Sequence, residues 1–455
     1  MEGSGFLLEG KLKDALASGY DTAGEPVEPY TVTPTVLPQG GMLATADDIS
    51  KYMLAFLDGG SLNNKRILSE ATVKEMGKYR SSIHPLLPDT TYGFESAIPF
   101  PAAGSNPAII TKAGDMLDFS SYMVMIPQEN FGLFIVSNQK FPLREFLYPS
   151  FMKEFYPQYA KAADLSAYPP ATEASLDRYT GYYSDLRLKT MISKVSVEEG
   201  QLTITDATIG PRPLKEAGEG LFTDALTGKF TAFKLAADGK PVYFKEPYLN
   251  YLGYGKKGAE AKGYTDVPAD HPYAEPIRML QSLGYLNNDG GQAFHPEQVM
   301  TRSAFVRQVL ETLGIPASQK DNLTFNDVKG HPDENYIQAA LELGMIKGTG
   351  KGQFQPDRGI ARQEAASMLW SLYKLQYPDE LFKDVKLSGT TDKWAVPAVK
   401  MMVALGVHGP EVQKGTDGAA DFQAKKLLTK QETASILYAI FMQPMDQIAA
   451  KLAQP

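Results

Sequence analysis

Tyr264-Thr265-Asp266-Val267, Phe325-Asn326-Asp327-Val328 and Phe382-Lys383-Asp384-Val385 are three copies of one pattern, aromatic-x-Asp-Val. Each is followed by an aromatic residue, Tyr273, Tyr336 or Trp394, that opens an apolar stretch at helical spacing. These stretches close at Leu283-Gly284, Leu343-Gly344 and Leu405-Gly406, where glycine supplies the left-handed residue expected just past a helix end. Next come Phe294-His295-Pro296, Phe354-Gln355-Pro356 and, more loosely, Phe422-Gln423-Ala424. A second helix then starts at Thr301-Arg302, Ala361-Arg362 and Thr429-Lys430. From Gly284 to Arg302 the first two copies stay in strict register, and the third carries a longer loop. Residues 264–318, 319–378 and 379–445 therefore read as three helix–turn–loop–helix repeats. Their second helices are amphipathic: Phe305, Val309, Leu310 and Leu313 share a face, as do Met368, Leu369 and Leu372. One helix pair cannot bury such a face alone, so the copies are expected to pack together.

Working outward, residues 158–255 read as β-rich. Lys194–Glu198, Leu202–Thr205 and Lys229–Phe233 alternate with turns at Glu199-Gly200 and Asp238-Gly239. Residues 256–263, with Gly258, Ala259 and Ala261, read as a linker. Residues 1–157 mix helix and strand. Asp47 and Asp48 are candidate caps for a helix with Ile49, Tyr52, Met53, Phe56 and Leu57 in one stripe, closing at Gly59-Gly60. Ser69 is a second N-cap candidate. Two apolar runs, 121–126 and 131–136, joined by Pro127-Gln128-Glu129-Asn130, predict a hairpin buried on both faces.

A chain of 455 residues with 43% hydrophobic and 22% charged residues points to two to four globular domains. A net charge of −8 with no block of like charge argues against nucleic acid as a partner. The absence of cysteine excludes disulfides, thiolate catalysis and Cys-ligated zinc. His84, His271, His295, His331 and His408 have no metal-ligand spacing and read as core or surface residues, so no metal is expected. No apolar run reaches the length of a membrane span, so membrane insertion is not expected. Residues 1–6 lack the basic and apolar regions of a signal peptide. Gly253-Tyr254-Gly255-Lys256-Lys257-Gly258 fits GxGxxG but precedes a polar stretch, not an apolar helix, and is discarded as a dinucleotide site.

The three repeats resemble the surface-layer homology (SLH) family through the aromatic-x-Asp-Val start, the glycine turn, Phe-x-Pro and the Thr-Arg helix opening. The resemblance implies an all-α, pseudo-threefold domain at the extracellular cell surface. Its grooves would bind secondary cell-wall polysaccharide, often bearing pyruvate ketals. A ketal presents a carboxylate, and Arg302, Arg362 and Lys430 stand at helix N-termini, where the dipole favours an anion. Asp266, Asp327 and Asp384 are candidate acceptors for sugar hydroxyls, and Trp394, with Tyr273 and Tyr336, can stack on a sugar face. The bland alternative is that the acids cap helices and the aromatics fill the core. Ala361, where the family often has Ser or Thr, and Lys430, in place of Arg beside an altered loop, mark the second and third grooves as weaker or structural.

Residues 1–157 resemble the C-terminal half of a serine β-lactamase-related domain, the group of class C-like β-lactamases and penicillin-binding proteins. The resemblance rests on an ordered series: Pro38-Gln39-Gly40-Gly41-Met42-Leu43-Ala44-Thr45-Ala46-Asp47-Asp48, Arg66-Ile67-Leu68-Ser69, Tyr92-Gly93-Phe94, Lys112-Ala113-Gly114 and Val136-Ser137-Asn138. Lys112 and Gly114 match the family's Lys/His-x-Gly strand motif. The family also needs a Ser-x-x-Lys nucleophile and a Tyr-x-Asn proton relay. Ser150–Lys153, Ser371–Lys374 and Tyr248–Asn250 match by pattern but follow Lys112, whereas the family places both motifs before it. They read as chance matches, so the nucleophile-bearing half is expected elsewhere and the hairpin is expected to lie partly bare. The β-rich segment, with Leu176–Tyr183 near its start, resembles the small barrel-like domain that often follows these hydrolases.

The fold class expected is thus multidomain α+β: a partial β-lactamase/transpeptidase-like α/β domain, a small antiparallel β-barrel-like domain and an all-α SLH domain. The function implied is a cell-wall-anchored serine hydrolase, inactive alone and needing no cofactor. The alternatives are a non-catalytic polysaccharide-binding protein on a degenerate hydrolase scaffold and, third, a non-functional remnant.

Overall fold

The computed structural model describes residues 1–21, 24–28, 37–97, 109–116, 118–139, 143–161, 163–168, 176–245, 253–320 and 324–453. The chain divides into two compact units, one built on Met1–Ala171 and the other on Thr172–Lys215 and Leu235–Pro455.

In the first unit, α1 (Ala46–Leu57) begins at Thr45, whose hydroxyl accepts the N–H of Asp48. Thr45 is the cap in place of Asp47 and Asp48. Asp48 is buried and instead accepts Gly3 N–H at 2.8 Å and the Ser4 hydroxyl at 2.9 Å, fastening the chain start to the helix. Helix α2 (Glu70–Met76) is capped by Ser69, whose Oγ accepts Thr72 N–H at 3.1 Å. Strands β1 (Glu95–Ser96), β2 (Ile110–Asp115), β3 (Ser120–Ile126) and β4 (Phe131–Ser137) form an antiparallel sheet in the order β4-β3-β2-β1. The β3–β4 turn is a single 3-10 turn over Pro127–Glu129, closed by Asn130 at φ 48°.

Alternation along β3 loads both sheet faces. Met123 and Met125 pack with Met53, Phe56, Phe94 and Ile110, on the side of α1. Tyr122, Val124 and Ile126 pack with Ile109 and with Tyr148 and Met152 of α3 (Leu143–Phe155). Each such side chain contributes about 1.5–3 kcal/mol by burial. The hairpin expected to lie partly bare is thus clothed on both faces by helices of this chain, and among the described residues β4 is the last strand of its sheet.

Eight strands form a closed barrel in chain order: β5 (Gly181–Asp185), β6 (Ile192–Glu198), β7 (Gln201–Asp206), β8 (Arg212–Gly218), β9 (Leu221–Asp224), β10 (Phe230–Leu235), β11 (Pro241–Lys245) and β12 (Gly255–Lys257). The turn between β6 and β7 is Glu199 (φ 50°) and Gly200 (φ 79°), both left-handed, as a two-residue hairpin turn requires. Tyr183, Val195, Leu202, Ile204 and Phe244 are buried, with the Tyr183 and Phe244 rings edge to face at 4.8 Å. Strand β12 closes the barrel by pairing with both β11 and β5. The segment read as a linker therefore begins inside the barrel, and it continues in contact: Gly258 N–H donates to Tyr182 O and Ala259 N–H to Ser282 O. A Cβ on Gly258 would lie 2.5 Å from Ser282 Oγ. Gly258 serves close packing, which composition alone does not distinguish from slack.

The repeats contribute helix pairs α4 (Ala274–Ser282) with α5 (Arg302–Thr312), α6 (Glu334–Glu342) with α7 (Arg362–Tyr373), and α8 (Val396–Leu405) with α9 (Lys430–Met442), followed by α10 (Met445–Leu452). They close on themselves in a ring. Met300 N–H donates to Leu428 O at 2.9 Å, Leu428 N–H to Ile360 O at 2.8 Å, and Ile360 N–H to Met300 O at 3.0 Å. All three side chains are buried in one apolar core shared by the copies. The third repeat departs from an all-helical reading: Gln413–Lys414 and Ala420–Asp421 of its long loop form a small sheet with Leu387–Ser388, which precedes α8. Among the described residues no helix is long and apolar enough to cross a membrane.

Tyr182 and Ile192 of the barrel belong to that same core. The Tyr182 hydroxyl donates to the Glu275 carboxylate in the first turn of α4, and Lys194 Nζ stands 2.6 Å from it. Burial pushes the Glu275 carboxyl up, but Lys194 and Tyr182 outweigh it and hold it below the usual range. Its stabilising effect is therefore complete above the ordinary glutamate value of about 4.3 and is lost as pH falls through the lower folded value. Glu275→Gln is expected to cost no more than about 1 kcal/mol at pH 7, because the pair is half exposed. Calorimetric unfolding from about pH 3 to pH 7 checks this: the variant's deficit should shrink toward the acid end.

Candidate functional site

Two places carry the residues that the sequence singled out. On β2, Lys112 lies opposite Met123, and its ammonium pairs with the Glu95 carboxylate of β1. Gly114 lies opposite Ser121, and a Cβ there would meet Ser121 Oγ at 2.8 Å, so a larger residue would make that hydroxyl turn away. The two Ser-x-x-Lys matches show no activated hydroxyl. Ser150 Oγ donates to Phe146 O at 2.9 Å and Ser371 Oγ to Ser367 O at 3.0 Å, each turned back onto its own helix. Tyr248 and Asn250 lie outside the described residues.

The second place is the set of three junctions between repeats. At each helix start the first two backbone N–H groups donate into the loop of the next repeat. Arg302 and Ser303 reach Arg358 O and Pro356 O; Arg362 and Gln363 reach Lys426 O and Ala424 O; Lys430 and Gln431 reach Gln298 O and Pro296 O. The helix ends expected to welcome an anion thus have these donors already satisfied.

The cationic side chains follow the same cycle, each lying over the phenylalanine of the next repeat. Arg302 stands 4.7 Å from the Phe354 ring, Arg362 4.8 Å from Phe422 and Lys430 4.6 Å from Phe294. Arg302 is 4% exposed; its Nε donates to Phe354 O at 2.9 Å and its Nη1 pairs with Glu364 at 3.2 Å. Arg362 is 2% exposed and pairs with Glu411 at 2.8 Å and Glu432 at 3.8 Å. Neither arginine is open to a sugar carboxylate in this conformation. Lys430 is half-buried and donates to Phe294 O at 2.6 Å. Burial lowers its pKa against the opposing pull of Asp266.

Asp266 and Asp327 clasp the Phe-x-Pro loops of their own repeats. Asp266 accepts Phe294 and His295 N–H at 2.7 and 2.8 Å; Asp327 accepts Phe354 and Gln355 N–H at 2.8 and 2.7 Å. To present both N–H groups, His295 and Gln355 adopt φ of 59° and 60°, an unusual conformation for residues with a side chain. Burial raises both carboxyls, but these bonds prevail and hold them low. Asp384 is exposed and makes no such clasp; near Gln423 the acceptor is Asp421, at 3.0 Å.

The aromatics also separate. Tyr273 is buried and donates to Glu411 at 2.8 Å, so it is not available for stacking. Tyr336 lies under Arg307. Trp394 is 57% exposed on a short 3-10 turn, next to Asp392, which Lys425 and Gln363 hold at 2.7 Å each.

Glu364, Glu411 and Glu432 were not among the residues singled out from the sequence. The first and last stand three residues after the helix cap, where each also accepts the N–H of the cap residue, Ala361 or Thr429. That spacing is a readable capping pattern. Glu411 sits in the third repeat's long loop, with no local signal, yet joins Arg362 of the second repeat to Tyr273 of the first.

Comparison with known proteins matches the segments in which these residues lie, except the third repeat. The β-lactamase family model matches residues 1–149, and the S-layer homology domain model matches 263–306 and 324–366. The chain therefore carries a β-lactamase-family segment and SLH repeats. An S-layer protein of Bacillus thuringiensis subsp. finitimus is 31% identical over 184 residues, covering 39% of this chain and 21% of that protein. An uncharacterized cell wall amidase of Bacillus anthracis is 30% identical over 195 residues, covering 41% of this chain and 34% of that protein. This chain thus spans about a third or less of the length of these relatives. A β-lactamase/D-alanine carboxypeptidase structure from Pseudomonas syringae aligns with a TM-score of 0.28 at 17% identity, over 35% of this chain and 49% of that one.

Removing the Arg362 guanidinium leaves Glu411 and Glu432 facing each other without their cation. Arg362→Ala is expected to cost about 3–5 kcal/mol in urea unfolding. Asp327→Ala, which frees two loop N–H groups, should cost about 2 kcal/mol, and Asp384→Ala less than about 0.5 kcal/mol.

Proposed function

We propose that this chain is a cell-wall-anchored protein in which the three repeats hold a β-lactamase-related segment at the cell surface by binding secondary cell-wall polysaccharide. The observation that carries the reading is the closed three-repeat module: its ring of backbone bonds and its SLH match support a rigid platform. In that platform Trp394 offers an exposed ring to a sugar face, with Asp392 held beside it. The repeated clasps of Asp266 and Asp327 keep the loops in place instead of meeting sugar hydroxyls. The third repeat, which lies beyond the matched residues, completes the cycle.

The first segment is read as hydrolase-related and inactive as it stands. Lys112 and Gly114 supply the strand side of a pocket, and the matching serines are bonded to their own helices. Acyl transfer requires a serine activated by an adjacent base, which would come from a nucleophile-bearing half outside this set of motifs.

Two measurements test the reading. Sedimentation with purified Gram-positive walls should retain the chain, and removal of the secondary polysaccharide should release it. Trp394→Ala should weaken retention about tenfold, as loss of one stacking contact does. A fluorescent penicillin should leave the chain unlabelled; labelling at Ser150 or Ser371 would overturn the inactive assignment.

A further inference from the structure

The turns of the barrel differ between its two ends. At one end they are polar, as in Glu199-Gly200 and Asp238-Gly239. At the other, three loops repeat one design. Asp185, Asp206 and Asp224 close β5, β7 and β9, and all three are buried. One oxygen of each accepts two N–H groups from the loop that follows: Arg187 and Leu188, Thr208 and Ile209, Leu226 and Thr227, at 2.7–2.8 Å. Gly210 N–H then returns to Asp206 O at 3.1 Å, and Gly228 N–H to Asp224 O at 2.9 Å. The barrel runs up and down in chain order, so these three loops share one rim.

Each aspartate satisfies the backbone of its turn, so the side chains at the tip are free of that task. They are aliphatic where turns are ordinarily polar. Leu186 is 53% exposed, Leu188 52%, Ile209 45% and Leu226 80%. Arg187 and Lys189 are exposed beside the two leucines of the first loop, and neither forms an ion pair among the described residues. The acids of these loops are the three buried clasps. Helix α10 reaches the rim through Gln447, which donates to Thr208 O at 2.7 Å. Its acid, Asp446, is held by Gln376 and Tyr377 at 2.8 and 2.6 Å. The rim thus shows apolar tips and positive charge, with no exposed carboxylate in the three loops.

We propose that this rim is a peripheral docking surface for an anionic lipid bilayer. Leu186, Leu188, Ile209 and Leu226 enter the boundary between headgroups and acyl chains, while Arg187 and Lys189 meet the anionic headgroups. Exposed leucines scattered singly are ordinary, but four on clasped loops around one rim form a patch. The tips stand on separate loops. A fluid bilayer accepts separated side chains, whereas a protein partner would have to offer a matching pocket to each. The aspartate clasps suit the same surface, because a turn with its N–H groups already bonded enters a poorly hydrated interface without stranding them. The contact is shallow and requires no membrane-spanning segment. It is independent of the glycan-binding reading of the repeats, and it gives the barrel a task of its own.

Co-sedimentation of the full chain with lipid vesicles tests this. Vesicles of mixed phosphatidylglycerol and phosphatidylcholine should retain the chain, and added salt should release it. Pure phosphatidylcholine should bind about tenfold more weakly. Leu188→Ser combined with Leu226→Ser should lower retention on the anionic vesicles about tenfold. Arg187→Gln combined with Lys189→Gln should remove the preference for anionic lipid. Melting temperatures should stay at the wild-type value, because all four side chains are exposed. Leu226→Trp gives a gain of signal: its added emission should shift to the blue when anionic vesicles are present. Failure of the anionic vesicles to retain the chain, or retention that neither pair of substitutions lowers, overturns the proposal. So does self-association without vesicle binding that the leucine pair abolishes, since the rim would then be a contact between copies.

Discussion

The ring of three backbone hydrogen bonds joining Met300, Leu428 and Ile360 is the constraint on which the repeat module depends. Each of these short extended segments gives one N–H and one C=O to its neighbours around the cycle, so no copy is complete without the other two. The segments lead directly into helices α5, α7 and α9, and that fixes where the helix starts point. Their first two N–H groups fall on the carbonyls of the next repeat's loop, and the first side chain falls across that repeat's phenylalanine. Buried helix ends need partners for their donors, and here the partners come from the chain itself.

Once the cations are carried into the interior by that register, their charge has to be matched. An unpaired guanidinium buried to the extent of Arg362 would carry a desolvation cost of several kcal/mol. The chain answers at two junctions with Glu364, Glu411 and Glu432. The third repeat, which departs most from the pattern, supplies two of these acids. Its longer loop places Glu411 between Arg362 and Tyr273, and so cross-links all three copies at one carboxylate. The sequence irregularity that looks like decay is the source of a carboxylate that touches both other copies.

The repeats, their helices and the glycine stops were legible in the sequence because each depends on local periodicity and one special φ, as at Gly284 and Gly344, with φ of 82° and 71°. The hairpin and the β6–β7 turn were legible for the same reason. What could not be read was long-range. Whether residues 256–263 are slack or packed depends on Ser282 and Tyr182, which approach from elsewhere in the chain. The helix cap fell to Thr45 because Asp48 was drawn to Gly3 and Ser4. The arginines were rightly placed at helix starts, but their burial follows from the cyclic closure. A single repeat does not contain that information.

The same rule of charge matching separates the cations that hold the fold from those that can exchange partners. Lys112 pairs with Glu95 while its side chain remains about half exposed, and such a pair contributes only about 0–1 kcal/mol. Replacing Glu95 with another anion therefore costs little. Arg302 and Arg362 stand at the opposite limit, where loss of a partner strands a buried charge and so disfavours exchange. Lys430 lies between the two: it is half-buried, donates to Phe294 O, and forms no ion pair among the described residues. Candidate binding groups in this chain are thus better ranked by the ease of releasing their present partner than by similarity to a consensus residue.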